Sequence, residues 1–329
     1  MQGSFFVTKM KKRFLEHLNK ENLIMSGSRV VVSVSGGPDS VALLTLLFEV
    51  QKALQLKLYV AHINYHLRGS DSNKDEALVK ELAQKLNLEF FLNSVHPKNK
   101  DEASLREIRH TYLEKIRQQK KASLIALGHT LDDQIETFLM FLLRGSGIQG
   151  LSAIQSRNKH LVRPLLLISK PELVAYLKAK KQSFCLDRSN SQNNYTRNRI
   201  RNRLLPYLEK NYNPSLKKTL SQTVHLLDSD FTYLKKTAQR SLQALLVKKT
   251  SSFIDLDAQK WARLDPALKR HVLRQTIFEF QGHLQNLSAK NLQYALNYLE
   301  KPSQKQAFSL SQGLHLTKRR ARIRLSFSN

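Results

Sequence analysis

The sequence predicts an α/β protein: a doubly wound, mostly parallel Rossmann-like sheet, followed by a second, smaller, mostly helical basic domain. Through residues 1–213, short apolar runs alternate with longer stretches of helical periodicity, which predicts parallel strands joined by helices. The alternation then stops, and residues 214–329 hold 20 lysines and arginines against 7 acidic residues, a net charge of +13. We therefore expect two domains, residues 1–213 and residues 214–329.

Four apolar runs predict the strands of the first domain, at residues 30–34, 58–63, 89–95 and 124–127. The first is β-branched and nearly continuous, as expected of a strand that is buried on both faces. Helical spacing of apolar side chains predicts the intervening helices over residues 41–54, 75–86, 104–118 and 132–143. In the second domain the same spacing predicts helices over residues 216–247, 267–280 and 289–299. Residues 308–327 alternate enough to predict one or two strands.

The charge balance indicates a polyanionic partner. The chain has 54 lysines and arginines against 26 acidic residues, a formal net charge of +28. Nucleic acid is the commonest partner of so basic a protein, and an anionic membrane surface is the alternative. We favour nucleic acid because no basic amphipathic helix with an aromatic face stands out.

The chain contains one cysteine, Cys185. This excludes a disulfide within the chain and any all-cysteine zinc or iron–sulfur site, and it fits a reducing compartment. No apolar run approaches the roughly 20 residues that a membrane span needs. Residues 1–13 lack the pattern of a secretory signal. We therefore expect a cytoplasmic protein without membrane contact.

A glycine-rich turn between the first predicted strand and helix predicts a phosphate site. It has the sequence Ser35-Gly36-Gly37-Pro38-Asp39-Ser40. Glycines let the backbone approach a phosphate, and a helix N-terminus offers unpaired N–H groups. Asp39 makes sense in such a site if it holds a metal that bridges to phosphate. The alternative is a plain strand-to-helix turn with a capping residue. The complete string directly after a β-branched strand favours the phosphate site over this alternative.

Two other glycine-rich nucleotide motifs are absent or out of place. The P-loop string G-x-x-x-x-G-K-S/T does not occur, so a kinase or motor protein loses its main support. Residues 145–150 match G-x-G-x-x-G, but a dinucleotide fingerprint must follow a strand and open a helix. Because these residues follow the predicted helix 132–143, we interpret them as a helix end with a glycine-rich loop.

Acidic and basic pairs flank the predicted phosphate site. Asp133 and Glu136 lie three residues apart and share a helical face, and either magnesium or an ammonium group would fit them. Capping alone would need only Asp132. Arg106 and Arg109 lie one turn apart and suit pyrophosphate or a developing negative charge, with a solvated helix face equally open.

Two arginine-rich clusters suggest contacts with RNA phosphates. The first contains Arg197, Arg199, Arg201 and Arg203, and the second spans residues 318–324 and contains Lys318, Arg319, Arg320, Arg322 and Arg324. Like charges at this density repel each other unless an anion lies nearby. A surface patch without function is the alternative.

The residue 35–40 string resembles the PP-loop of ATP pyrophosphatases, and a larger set of motifs resembles tRNA(Ile)-lysidine synthetases. The set covers about residues 28–210 and comprises residues 35–40, 62–76, 106–109, 129–137, 143–147, 163–166, 187–190 and 197–201, followed by Pro206. One position departs from the family, because Tyr65 stands where a histidine is usual and His66 follows.

The resemblance implies that the enzyme adenylates the wobble cytidine of an isoleucine tRNA with a CAU anticodon, using ATP and Mg²⁺. Free lysine then replaces AMP at C2, which changes decoding from AUG to AUA. Residues 1–213 would be the PP-loop ATP-binding catalytic domain and residues 214–329 the tRNA-binding domain. ATP would contact Ser35, Gly36, Gly37, Pro38, Asp39, Ser40, His62, Gly128 and His129. Asp39 would hold the metal, Arg106 and Arg109 would face the phosphates, and Asp133 and Glu136 would bind lysine.

Three alternatives fit the sequence less well. A PP-loop tRNA thiolase generally needs a reactive cysteine or a cysteine-ligated cluster, and Cys185 lies far from the loop in sequence. An amidotransferase relative would need an ammonia-supplying domain. A basic RNA-binding protein with a vestigial nucleotide fold would not be expected to keep Ser35, Asp39 and Ser40. Whether two copies pair as a homodimer is left open.

Overall fold

In a computed structural model of the chain, the structure describes residues 2–186, 196–284, 287–302, 306–311 and 313–327. The chain forms two compact units, Met1–Asp228 and Ser229–Asn329. The boundary therefore falls after residue 228 and not after residue 213. The reason is packing: Leu216, Leu220 and Val224 join an apolar cluster that contains Ile135 of the first unit.

The first unit is built on a six-stranded sheet in the order β3-β2-β1-β4-β6-β5. Its strands are β1 Arg29–Ser33, β2 Lys57–Asn64, β3 Glu89–Ser94, β4 Leu124–Ala126, β5 Arg157–Asn158 and β6 Leu161–Val162. All neighbours pair in parallel except β5 and β6. The predicted doubly wound, mostly parallel sheet is thus confirmed. The two-residue strands β5 and β6 were not predicted, because they are too short to show a period.

Helices flank this sheet, and the four predicted ones are present within a few residues. In order they are α1 Gln2–Lys20, α2 Pro38–Gln51, α3 Ser70–Lys85, α4 Glu102–Gln119, α5 Leu131–Leu143, α6 Ile148–Leu151 and α7 Lys170–Ala179. After residues 187–195, which lie outside the described residues, come α8 Thr196–Arg199, a π-helical turn Ile200–Leu204 and α9 Leu205–Asn211.

Strand β1 lies at the centre of the sheet and is buried on both faces, as its sequence predicted. Val30 and Val32 belong to one apolar cluster, together with the leucines of α2. Val31 belongs to a second cluster with Tyr59 and Ile125. This division follows from the alternation of side chains along a strand.

The topology creates a crevice beside the carboxyl end of β1. The chain runs from β1 to β2 and β3 on one side, and then crosses to β4 on the other side of β1. Ligands of open α/β sheets bind at such a switch point, outside the carboxyl ends of the strands. The loop at residues 34–37 and the loop at residues 127–130 both start at this edge.

The second unit combines helices with an antiparallel sheet. Its helices are the end of α10 Leu216–Leu245, then α11 Ala258–Ala262, α12 Pro266–Gln281 and α13 Ala289–Glu300. Its strands are β7 Leu246–Lys249, β8 Phe253–Asp257, β9 Phe308–Ser311, β10 Leu314–Lys318 and β11 Arg322–Phe327, in the order β7-β8-β11-β10-β9. The predicted helices are confirmed, and the sheet is larger than the one or two strands predicted. Among the described helices of the whole chain, none is long and apolar enough to cross a membrane.

Candidate functional site

The loop after β1 has the geometry of an anion site. Gly36 adopts a φ of 94°, and a Cβ at this position would lie 3.1 Å from the Cβ of Asp75, so only glycine fits without strain. The hydroxyl of Ser40 accepts the N–H of Ser35 at 3.1 Å and donates to the carbonyl of Gly37 at 3.0 Å. Helix α2 begins at Pro38 and has no side-chain cap. Its first-turn N–H groups thus form a helix N-terminus suited to phosphate.

Gly128 brings the loop after β4 directly against this turn. A Cβ at Gly128 would lie 3.2 Å from the Cα of Ser40 and 3.3 Å from the carbonyl carbon of Asp39. Because these contacts are with backbone atoms, any larger residue would push the two loops apart. The structure therefore brings together two segments of the predicted ATP site that lie far apart in sequence.

Two predicted ATP contacts are uncharged histidines. His62 is buried, its Nδ1 lies 2.7 Å from the carbonyl oxygen of Val34, and its buried Nε2 has no partner among the described residues. Burial lowers the pKa of His62. Burial, and then the charge of Arg163, lowers the pKa of His129 to about 4. Both imidazoles are neutral near pH 7, so they suit the polar groups of a nucleoside better than they suit phosphate charge.

Asp39 meets a cation that sequence analysis missed. The ammonium Nζ of Lys170 lies 3.3 Å from Oδ2 of Asp39, while the buried Oδ1 has no hydrogen-bond partner among the described residues. Burial raises the pKa of Asp39, although Lys170 acts in the opposite direction. An unpaired carboxylate oxygen beside a phosphate loop fits a magnesium ligand. No group of three metal-ligating side chains occurs among the described residues, so such an ion would take its other ligands from phosphate and water.

The same ammonium group links Asp39 to Asp133. Lys170 Nζ lies 3.4 Å from Oδ1 of Asp133. Oδ2 of Asp133 accepts the N–H of Thr130 at 2.8 Å and its hydroxyl at 2.9 Å, which completes a capping box at the start of α5. Burial opposes ionisation of Asp133, but Lys170 and Arg197 outweigh it and the pKa of Asp133 lies below its ordinary value. One oxygen thus serves the helix cap and the other faces cations.

The carboxylate of Asp132 has structural partners of its own. It accepts the backbone N–H of Lys170 at 2.7 Å and the ammonium group of Lys217 at 3.0 Å. The cap of α5 is therefore provided by Thr130 and Asp133, and Asp132 instead ties α5 to the start of α7 and to α10.

Glu136 is held by two arginines of the first arginine-rich cluster. Its side chain is 1% exposed, and it accepts Nε of Arg197 at 2.8 Å and two N–H groups of Arg201 at 2.6 and 2.8 Å. Arg197 also lies 3.2 Å from Oδ1 of Asp133. These two arginines were predicted to bind tRNA, and the structure instead pairs them with the predicted lysine-binding acids. Arg199 and Arg203 lie on the exposed side of the same helical segment.

A cluster of buried and half-buried arginines adjoins His129. Arg163 is only 6% exposed and donates Nη1 to the carbonyl of Gln155 at 2.7 Å. Burial, with Arg106 nearby, lowers the pKa of Arg163 to about 10. Burial also lowers the pKa of Arg109. The buried Nε atoms of Arg109 and Arg163 have no partner, and neither side chain forms an ion pair with a carboxylate, within the described part of the chain. A largely buried cluster of this charge favours an anion.

Arg163 was not predicted as a site residue, although it begins the motif at residues 163–166. Its burial, which sets its electrostatic role, depends on the position of β6 beside β4. The spacing of residues in the sequence does not predict that β6 lies beside β4.

Tyr65, His66 and Cys185 each have a hydrogen-bond partner in the structure. Tyr65, which stands in place of the family's histidine, donates its hydroxyl to the carbonyl of Leu105 at 3.0 Å, and Nε2 of His66 lies 2.6 Å from the hydroxyl of Ser94. The N–H of Cys185 donates to the carbonyl of Gly36 at 2.9 Å, so this cysteine is distant in sequence but adjacent in space. The motif at residues 187–190 lies outside the described residues.

The C-terminal cluster is partly used inside the second unit. The ammonium group of Lys318 donates to the carbonyls of Leu299 and Lys301 at the end of α13. Nη1 of Arg322 lies 3.5 Å from Oδ2 of Asp255. Arg319 and Arg320 are exposed between β10 and β11. The prediction that this cluster binds tRNA therefore rests mainly on these last two side chains.

Comparison with known proteins yields one family match. The family model described as a PP-loop domain matches residues 7–208. The chain is 34% identical over 278 residues to a tRNA(Ile)-lysidine synthase of Clostridioides difficile, covering 82% of this chain and 60% of that protein. It is 36% identical over 256 residues to a protein of the same name from Bacteroides thetaiotaomicron, covering 76% of this chain and 58% of that protein. The chain thus spans about three-fifths of the length of these relatives.

Among solved structures, the chain is similar to a U34-tRNA thiolase of Methanococcus maripaludis that carries a 4Fe–4S cluster. The TM-score is 0.58 with 18% sequence identity, covering 69% of this chain and 80% of that chain. At this identity the likeness concerns the fold alone.

Proposed function

Because the chain belongs to the PP-loop domain family, we propose that it uses ATP to ligate lysine to C2 of the wobble cytidine of an isoleucine tRNA with a CAU anticodon. The products would be lysidine, AMP and pyrophosphate. The observation that carries the proposal is the bridge formed by Lys170 between Asp39 at the phosphate loop and Asp133 at the acidic helix. This bridge supports the proposal that the phosphate loop and the acidic helix serve one site.

In the first step, O2 of the cytidine attacks the α-phosphorus of ATP, and the bond from this phosphorus to pyrophosphate breaks. The free N–H groups at the start of α2 would bind phosphate oxygens. Arg109 and Arg163 would stabilise the negative charge that builds on the leaving pyrophosphate. When bound, Mg²⁺ would supply further charge neutralisation, and the unpaired oxygen of Asp39 is the protein atom suited to hold it.

In the second step, the ε-amine of lysine, in its neutral form, attacks C2, a carbon–nitrogen bond forms, the attacking nitrogen loses one proton to water, and AMP leaves with the former O2. The ammonium group of Lys170 lies 3.4 Å from Oδ1 of Asp133, which supports this oxygen as the binding point of an ammonium group. Both oxygens of Glu136 accept guanidinium N–H groups at 2.6–2.8 Å, whereas Oδ1 of Asp133 has longer contacts, with Arg197 at 3.2 Å and Lys170 at 3.4 Å. We therefore propose that Asp133 contacts lysine directly and that Glu136 positions Arg197 and Arg201 around it.

A tRNA thiolase is the main alternative function, because Cys185 lies beside the phosphate loop. Burial, reinforced by Asp75, raises the pKa of the Cys185 thiol to about 11, so this thiol is protonated near pH 7 and a poor nucleophile. It is also the one cysteine of this chain, whereas a 4Fe–4S cluster is held by several cysteines. These two facts favour ligation of lysine over sulfur transfer.

Incubation of the protein with ATP, Mg²⁺, labelled lysine and total tRNA, followed by nucleoside analysis, tests the proposal. We expect labelled lysine in one modified cytidine, with AMP and pyrophosphate formed in equal amounts. Glu16→Gln, which alters an exposed acid of α1 that pairs with Lys12, is a matched control and should keep this activity. Release of ADP and phosphate in step with modification, or a sulfur-containing nucleoside, would contradict the proposal.

The second unit would bind tRNA through its positive charge, and Arg319 and Arg320 are the exposed candidates. A cytoplasmic location accompanies the substrates, since tRNA, ATP and free lysine meet there. Pairing into a homodimer stays a prediction.

A further inference from the structure

The helical segment from residue 196 to residue 211 has two chemically different sides. Ile200 and Leu205 are buried and pack in the apolar cluster of α5. Arg199, Arg203, Tyr207 and Lys210 are exposed. The segment therefore presents a basic and aromatic surface to solvent, on the side opposite its contacts with the acidic helix.

Two tyrosines on this surface form an exposed aromatic pair. Tyr207 is 56% exposed and Tyr212 is 72% exposed, and their ring centroids lie 6.0 Å apart with an angle of 60° between the planes. Neither ring is buried in the core of the unit. Exposed aromatic rings are the usual platforms on which unpaired nucleic-acid bases stack.

The charge around the pair is strongly positive. Residues 196–227 hold seven lysines and arginines and one acidic residue, Glu209. Three of the seven basic side chains, those of Arg197, Arg201 and Lys217, pair with the acids of α5. Arg199, Arg203, Lys210 and Lys218 are exposed. Phosphate groups are the natural counterions of such a surface.

We propose that Tyr207 and Tyr212, together with the exposed Arg199 and Arg203 of the same helical segment, form a stacking surface for unpaired nucleotides of the bound RNA. The identity of that RNA rests on the proposed function, but the stacking itself does not. Stacking needs bases that are not already paired, so the surface should prefer a loop to a duplex. The same helical segment holds Glu136 through Arg197 and Arg201, which ties the surface rigidly to the acid centre.

The test uses the full chain and two RNA probes, a hairpin with an unpaired loop and a blunt duplex with the same stem. A fluorescent adenine analogue in the loop reports stacking. Tyr207→Ala and Tyr212→Ala should each weaken hairpin binding by roughly 10-fold and abolish the fluorescence change, while duplex binding stays within about twofold. Tyr207→Phe and Tyr212→Phe should bind like the original protein. Tyr233→Ala, at another exposed tyrosine, is the matched control and should have no effect.

Three results would overturn the proposal. Unchanged hairpin affinity in the double alanine variant would show that the rings do not contact bases. Equal losses for hairpin and duplex would indicate a general charge or folding effect. Loss of binding to vesicles of anionic phospholipid, with hairpin binding intact, would make this a membrane surface. If hairpin stacking is found but lysine is never incorporated, the proposed function fails and the stacking surface stands.

Discussion

Replacing Glu136 with glutamine tests how the acid centre is held together. The Glu136 carboxylate is 1% exposed and accepts three guanidinium N–H groups at 2.6–2.8 Å. Removing one partner of a buried ion pair costs about 3–5 kcal/mol. Because Arg197 and Arg201 both keep some contact with solvent, the lower end of this range applies. We therefore expect Glu136→Gln to lower the free energy of unfolding of the first unit by about 3 kcal/mol.

Urea unfolding measures this change directly, and the melting temperature should fall by roughly 6–12 °C for a unit of this size. The matched control is Glu16→Gln, which removes an acid that pairs with Lys12 at the surface of α1. Exposed pairs contribute about 0–1 kcal/mol, so this variant should unfold almost like the original protein. If Glu136→Gln is as stable as the control while the KM for lysine rises, Glu136 binds substrate and the scaffolding argument is refuted.

Four further predictions concern the candidate site and the exposed arginines of the second unit. Asp39→Asn should reduce AMP formation on the order of 10²–10⁴-fold while RNA affinity is kept, and pyrophosphate release measured beside RNA binding separates the two. Gly128→Ala should weaken ATP binding in equilibrium dialysis, because its Cβ would meet backbone atoms at 3.2–3.3 Å, and unchanged affinity would disprove the close approach. His129 has a pKa of about 4 when folded and 6.5 when unfolded, so the folded state binds fewer protons between these values and stability should fall as pH drops from 6.5 to 4. The free energy of unfolding, measured with urea at several pH values in this range, should fall less steeply with decreasing pH for His129→Gln than for the original protein. Replacing Arg319 and Arg320 with serine should reduce the salt slope of RNA binding by about 1.4–1.8 with turnover at saturating RNA unchanged, and an unaltered slope would remove both from the RNA contact.

The sheet and its phosphate loop could be predicted because their signals are local. The β-branched run at residues 30–34 identifies a strand buried on both faces, and the string at residues 35–40 follows it directly. Strand β7 carried no such signal, since Leu246 and Val247 continue the helical pattern of α10 before two lysines. The boundary between the units was also misplaced, because it depends on the packing of α10 against α5.

The cations of the site could not be predicted, because their partners are set by strand order and not by spacing. Lys170 follows β6, and it reaches Asp39 and Asp133 only because β6 lies beside β4 and β4 beside β1. Cys185 is a second example: it lies far from the phosphate loop in sequence, yet its N–H donates to the carbonyl of Gly36. Sequence separation did not predict spatial separation where a crossover connection joins the strands.

The arginine-rich string at residues 197–203 shows how one motif can serve two purposes. Residues four apart share a face of a helix, so Arg197 and Arg201 turn together toward Glu136, while Arg199 and Arg203 are exposed. A charge count treats the four as one RNA-binding patch, whereas burial divides them. The inner pair neutralises acids that would otherwise repel each other, and it fixes the helical segment that carries the outer pair. Weaker RNA binding in an Arg197 or Arg201 variant would therefore not by itself identify a phosphate contact. Only a measurement of stability beside one of salt dependence distinguishes a lost contact from a displaced segment.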